Sequence, residues 1–110
     1  MKVVCDANGR GLYFSRAAIP HVRDAADLAG TRWWQHLGVY AYRREALLRV
    51  TALPTCMLER AERLEQLRAL DAGLTIGVAL LDNPAPAGID TPDDLAAAEV
   101  RWRELTEESR

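Results

Sequence analysis

A chain of 110 residues with 14 basic and 16 acidic side chains and a net charge of −2 has room for one small domain with a modest core, and falls below the usual size of a nucleotide-using enzyme. Its basic residues are spread along the chain, which argues against nucleic-acid binding through a basic face; Lys2 is the only lysine, so an arginine needs support from its neighbours to count as an anion ligand. Cys5 and Cys56 are too few and too far apart for a zinc site or a disulfide framework, and no apolar run is long enough to span a bilayer, so the chain reads as soluble and cytoplasmic, with no membrane partner.

In chain order, residues 2–5 (KVVC) and 12–14 (LYF) are short β-favouring runs on either side of DANGRG, whose Asn8-Gly9 pair is a strong hairpin signal. The chain is expected to open with a β-hairpin whose second strand runs through Ser15 and Arg16 and ends at Pro20, which lacks a donor. Arg16 then lies near a strand end, where α/β proteins collect ligand-binding groups, although an Arg beside a loop is also simply solvated. Residues 21–31 read as a surface loop with at most one helical turn, and Arg23 is its one candidate. Trp33 and Trp34 should point to opposite sides. Residues 36–42 (HLGVYAY) alternate as a strand would, placing His36 and Tyr40 on one face. Imidazole, phenol and guanidinium together can hydrogen-bond an anionic hydroxy acid, while ordinary packing is the alternative use of the two rings.

Residues 43–50 predict a short helix, followed by a turn at Leu53-Pro54 and a longer helix over 57–72, with Thr55 as N-cap and Gly73 just beyond the end. On a single helical wheel Met57, Leu58, Ala61, Leu64 and Leu67 form one apolar stripe, with Arg68 inside it and Glu65 at its edge. An ion there needs a partner or a charged ligand. Either Glu65 and Arg68 pair with each other at i, i+3, or Glu65 and Gln66 form the wall of a polar pocket. Residues 74–81 predict a strand buried on both faces of a mainly parallel sheet, and 82–88 a loop at its carboxyl end. In IDTPDDL, Thr91 reads as N-cap, Pro92 as the first helical residue, and Asp93 and Asp94 as first-turn carboxylates. Asp90 is left without a capping role, free to be either solvated or a ligand for a hard cation such as magnesium. The closing helix should run from 92 to about 104 with Leu95, Ala98, Trp102 and Leu105 as a core stripe, and its tail should fray. Strand, helix, helix, strand indicates α/β architecture.

Four stretches in this order, KVVCDANGRGLYFSRAAIP, HLGVYAYR, LERAERLEQLRAL and GIDTPDDL, resemble the C-terminal half of the CMP-Kdo synthetase family, the 3-deoxy-manno-octulosonate cytidylyltransferases. The resemblance implies an α/β fold, part of a nucleotide-diphospho-sugar transferase-like (Rossmann-like) mixed sheet with flanking helices and an N-terminal β-hairpin. It implies transfer of CMP from CTP to the acidic sugar Kdo with release of pyrophosphate, for lipopolysaccharide assembly. Position by position, Arg16 and Arg23 match arginines beside the substrate, Arg23 with a catalytic role. His36 and Tyr40 match the HLGxY pair of the Kdo site, Glu65 and Gln66 match the EQ that binds sugar hydroxyls, and Asp90 matches a catalytic aspartate that helps hold Mg2+.

There are departures. The family's N-terminal half, with its CTP-phosphate loop and a second metal-binding aspartate, has no counterpart in these residues. The stretch between Arg23 and His36 looks short, Cys56-Met57 stands where Ser-Pro is common, and His21 stands where Trp is common. The chain therefore reads as a single domain, residues 1–110, that is the C-terminal half of a cytidylyltransferase. Two other readings stand beside it: a homodimerisation module without catalysis, and a fragment of a related CMP-sugar synthetase such as the sialic acid enzyme.

Overall fold

The computed structural model describes residues 1–83 and 88–109, and the chain forms two compact units, Met1–Leu80 and Leu81–Arg110. The first unit opens with the expected hairpin of β1 (Lys2–Cys5) and β2 (Gly11–Ser15). Its turn is held by the Asp6 side chain, whose Oδ1 accepts from the backbone N–H groups of Asn8 (2.8 Å) and Arg10 (2.9 Å). Gly9, at φ +78°, takes the left-handed position. A two-residue strand, β3 (Trp34–Gln35), pairs with the other edge of β1, giving an antiparallel sheet in the order β2-β1-β3. Period-two alternation puts Val3 and Phe14 opposite each other on one face, and they pack with Leu64 and Leu67 as the core, with Trp34 against it. Phe14 and Leu67 are fully buried, each stabilising by roughly 1.5–3 kcal/mol. Trp33, by contrast, donates its indole N–H to the Pro20 carbonyl at 3.0 Å, so the two tryptophans do separate.

The loop over 21–31 carries a 3-10 helix at Ala25–Gly30. The helix expected over 43–50 is present as α1 (Arg44–Ala52), with no buried residue. The helix expected over 57–72 is instead two, α2 (Met57–Glu62) and α3 (Gln66–Asp71). The break is at Arg63, whose φ of 56° and ψ of 44° are left-handed, so the wheel loses its phase there. Met57 is accordingly 64% exposed and Glu59 is buried. The N-cap of α2 is Cys56, whose Sγ accepts from Glu59 N–H at 3.4 Å, and not Thr55. At the far end α3 closes as the sequence predicts. Gly73, at φ +81°, donates to the Leu70 carbonyl (3.0 Å) and Leu74 to that of Ala69 (2.9 Å), satisfying the last carbonyls in a Schellman arrangement.

The strand expected over 74–81, buried on both faces, is not formed. Leu74, Ile76 and Val78 are half-buried and Thr75, Gly77 and Ala79 exposed, so only one face meets the core. The segment is joined to the hairpin by one antiparallel bridge between Arg10 and Gly77, made by Gly11 N–H to the Ile76 carbonyl and Val78 N–H to the Gly9 carbonyl, both 2.8 Å. A parallel neighbour for this segment is not among the described residues.

In the second unit the loop residues 84–87 lie outside the described residues. Helix α4 (Pro92–Glu108) starts as predicted, with Thr91 and Asp94 in a reciprocal capping box. It runs past residue 104, and the hydroxyls of Thr106 and Ser109 donate back to the carbonyls of Trp102 (3.0 Å) and Leu105 (2.8 Å). No α4 residue is buried. Leu95, Trp102 and Leu105, expected as a core stripe, are instead 49%, 68% and 60% exposed.

Candidate functional site

The turn that breaks the α2–α3 helix faces the end of the sheet across a cleft of about 350 Å³, lined by Arg16, His36, Tyr40, Glu65 and Gln66 together with Arg63. Five residues singled out in the sequence therefore meet in one place, brought there by three separate segments.

His36 follows β3, and its N–H donates to the Met1 carbonyl at 3.0 Å, extending the ladder by one bond. There the predicted strand ends. Val39 N–H donates to the Leu37 carbonyl at 2.9 Å, a three-residue turn centred on Gly38. It is this turn, not strand alternation, that brings the Tyr40 hydroxyl onto His36 Nε2. The imidazole also stands edge-on to Phe14, with ring centroids 5.3 Å apart and planes at 83°. Burial pushes the His36 pKa down, favouring the neutral ring at pH 7. Burial, then the neighbouring Tyr42 and Glu65 charges, pushes the Tyr40 phenol up. With both groups neutral, we assign the phenol as donor to Nε2, which puts the imidazole proton on Nδ1. Nδ1 is a buried atom with no hydrogen-bond partner among the described residues.

Glu65 and Gln66 open α3. Glu65 occupies the N-cap position but makes no side-chain capping bond, so its carboxylate keeps its acceptors. Gln66 is only 7% exposed, and its Nε2 is a second buried polar atom with no partner among the described residues. The expected Glu65–Arg68 pair is replaced by another. Arg68 grips Glu59 in a two-pronged contact, Nε to Oε2 at 2.8 Å and Nη2 to Oε1 at 2.6 Å, because the break at Arg63 turns the two helices toward each other. Hydrogen bonding to Arg68 holds the Glu59 carboxyl below its usual range.

Arg16 lies in the cleft, yet much of its fork is already engaged. Nε donates to the Glu62 carbonyl at 2.7 Å and Nη2 to that of Arg63 at 3.1 Å, a cation at the C-terminus of α2 where carbonyls are otherwise unmatched. The Arg16 backbone N–H donates to Glu62 Oε2 at 3.0 Å, and Ser15 Oγ donates to Oε1 at 2.7 Å. The side-chain bond from Ser15, then the backbone bond from Arg16, hold the Glu62 carboxyl below its usual range. A carboxyl with a depressed folded-state pKa contributes stability that is present above its unfolded value and is lost as pH falls through the folded one. Thermal melts of the wild-type chain should therefore be flat above about pH 5 and fall steeply below about pH 4.5. With Glu62→Gln the acid slope should be shallower, and an unchanged slope would remove Glu62 as its source.

Arg23 sits in an exposed loop before the 3-10 helix and is not among the cleft-lining residues. Asp90 belongs to the second unit and is exposed. Contrary to the expectation that it has no part in capping, its backbone N–H donates to Asp94 Oδ2 at 3.1 Å, beside the 2.9 Å bond from Thr91 N–H. As a cation ligand it offers one exposed carboxylate. Among the described residues no group of three or more His, Cys, Asp or Glu side chains stands ready for a metal ion, whereas Mg2+ takes one or two carboxylates together with substrate phosphates. Arg63, Glu62 and Glu59 have positions here that the sequence did not signal, because all three depend on a left-handed arginine that no local pattern marks.

The sequence profile of the family described as Cytidylyltransferase matches residues 1–76. The 3-deoxy-manno-octulosonate cytidylyltransferase of Xanthomonas euvesicatoria pv. vesicatoria is 50% identical over 107 residues, covering 92% of this chain and 41% of that protein. The protein of the same name in Acidobacterium capsulatum is 54% identical over 99 residues, covering 90% and 39%. Among solved structures, CMP:2-keto-3-deoxy-manno-octonic acid synthetase complexed with CTP superposes with a TM-score of 0.86 at 38% identity, over 94% of this chain and 42% of that one. The expected sugar-nucleotide transferase fold is thereby shown, and the chain spans about two-fifths of the length of the relatives it matches. With residues 1–76 of its 110 inside that profile, the chain belongs to the cytidylyltransferase family.

Proposed function

We propose that these residues carry the acid-sugar half of an enzyme that transfers CMP from CTP to 3-deoxy-manno-octulosonate, activating the sugar for lipopolysaccharide assembly in the cytoplasm. The observation that carries this reading is the convergence of His36, Tyr40, Glu65 and Gln66 on one cleft, with His36 Nδ1 and Gln66 Nε2 buried and unpartnered among the described residues. Unpaired buried polar atoms are costly, and a polyhydroxylated acid would pair them. In the reaction a sugar hydroxyl oxygen attacks the α-phosphorus of CTP and gives up its proton to solvent, the bond from that phosphorus to the bridging oxygen breaks, and pyrophosphate leaves. Glu65 accepts from sugar hydroxyls, the Gln66 amide and neutral His36 donate to sugar oxygens, and together they hold the attacking hydroxyl in one orientation. Magnesium, when bound, offsets charge on the phosphates; Asp90 would give it one oxygen ligand, and Arg23 would act beside the sugar substrate. The CTP-phosphate site belongs to the part of the relatives' length that these residues do not match.

Pyrophosphate release with CTP, Mg2+ and the sugar, with and without a separately supplied N-terminal half from a relative, tests this reading. Release only with the added half is expected; a folded sample silent in both mixtures would overturn it. Aspartate-to-asparagine replacement at Asp90 should abolish turnover in the reconstituted enzyme while leaving the melting of α4 unchanged, because Thr91 and Asp94 still cap the helix.

The exposed α4 side chains Leu95, Trp102 and Leu105 favour a second role for the same chain, self-association as a homodimer. Light scattering that finds a clean monomer at high concentration would dismiss it.

A further inference from the structure

The cleft is lined by two arginines that differ in how they are held. Arg16 is fixed by carbonyls, at 2.7 Å to Glu62 and 3.1 Å to Arg63. The Arg63 guanidinium has no hydrogen-bond or ion-pair partner among the described residues, although the residue lines the cleft beside Glu65 and Gln66. Its backbone is the unusual feature. At φ 56° it is the one non-glycine residue with positive φ among the described residues. Side chains crowd the backbone in that conformation, so glycine or asparagine is the residue that ordinarily adopts it. Such strain persists only where the surroundings over-determine it, and here they do. Arg63 N–H donates to the Glu59 carbonyl at 2.8 Å, closing α2, while its own carbonyl is held by Arg16 Nη2.

The charges in the cleft give the strained position a use. Glu65 presents a carboxylate to any ligand that enters, and a ligand that itself carries a carboxylate meets repulsion unless a cation accompanies it. Arg16 has two donors committed to the helix end. We propose that Arg63 is the side chain in this cleft that binds the carboxylate of an acidic sugar, and that Arg16 is a positioning residue that holds Arg63 and the Glu65-Gln66 turn in place. The inference rests on the acid-sugar reading of the cleft and deepens it by separating the group that binds the ligand's charge from the group that builds the turn. A planar guanidinium binding a carboxylate forms charge-assisted hydrogen bonds that a neutral ester cannot match.

The test uses the full 110-residue chain in calorimetric titrations with 3-deoxy-manno-octulosonate and with its methyl ester, alongside thermal melts. Arg63→Gly should melt no lower than the wild type, because glycine relaxes the left-handed position. It should bind the free acid about tenfold or more weakly and the ester as the wild type does. Arg63→Gln, which keeps the strain and loses the charge, should lose affinity for the acid equally. Wild-type affinity of both variants for the acid would overturn the proposal and leave the acid-sugar site standing, as would parallel losses for acid and ester. Failure of the wild-type chain to bind either ligand would overturn the reading of the cleft itself, and this proposal with it.

Discussion

Replacing Glu59 with Gln is expected to lower the thermal midpoint by more than about 10 °C. Glu59 is 8% exposed, and its two oxygens are the acceptors of the Arg68 fork at 2.6 and 2.8 Å. A third donor of Arg68 reaches only the Leu53 carbonyl, at 3.5 Å. The single change leaves a guanidinium between α2 and α3 with no anion, at the point where the two short helices are joined to each other and neither is long enough to persist alone. Breaking one partner of such a pair is far worse than removing both. The double replacement Glu59→Met with Arg68→Met should therefore recover most of the lost stability. Melts by circular dichroism decide it. A double variant as unstable as the single one would show that the pair supplies the helix junction with something apolar packing does not.

The Glu65→Ala variant is expected to do the opposite, leaving the fold alone and disabling the site. Glu65 is exposed, makes no capping bond, and has no part in the Arg68 pair, so its removal should shift the midpoint by less than about 2 °C. Its loss from the cleft should weaken binding of 3-deoxy-manno-octulosonate by about 30-fold, the scale of charge-assisted hydrogen bonds to sugar hydroxyls. Calorimetric titration measures the binding and a melt measures the fold. A loss of stability in proportion to the loss of binding would return Glu65 to a structural role.

Local chemistry explains which parts of the fold were readable. Asn8-Gly9 and Asp6 fix the hairpin through their own side chains and φ values, and Thr91-Pro92-Asp93-Asp94 starts a helix through contacts within four residues; both signals lie in the stretch they organise. Arg63 carries no such signal. An arginine is an ordinary helix residue, and only the Arg16 fork, arriving from β2, shows why the chain turns there. The Glu59–Arg68 pair was hidden for the same reason, since an unbroken wheel puts Glu65 nearer Arg68. In 36–42 the polar and apolar alternation was real, but a three-residue turn at Gly38 overrode it. The candidate residues were singled out because the motifs that carry them match a family, and His36, Tyr40, Glu65, Gln66 and Arg16 line one cleft even though two of the elements assigned to them were wrong. The strand expected over 74–81 failed because an apolar run says nothing about whether a second neighbour is at hand.

The hairpin also determines the order in which the first unit can assemble. Several long-range links of that unit converge on it. β3 pairs with β1, Glu62 is bound by Ser15 and Arg16 across 47 and 46 positions, and the segment after α3 joins Gly9 and Gly11. These are nested loops that share one anchor. Closing each larger loop after a smaller one adds only roughly a few tenths of a kcal/mol in chain entropy, provided the anchor already stands. A turn locked within five residues by Asp6 forms on the microsecond scale, long before those distant partners meet. The Asp6 turn is then expected to be formed in the folding transition state, so that Asp6→Ala slows refolding in stopped-flow measurements.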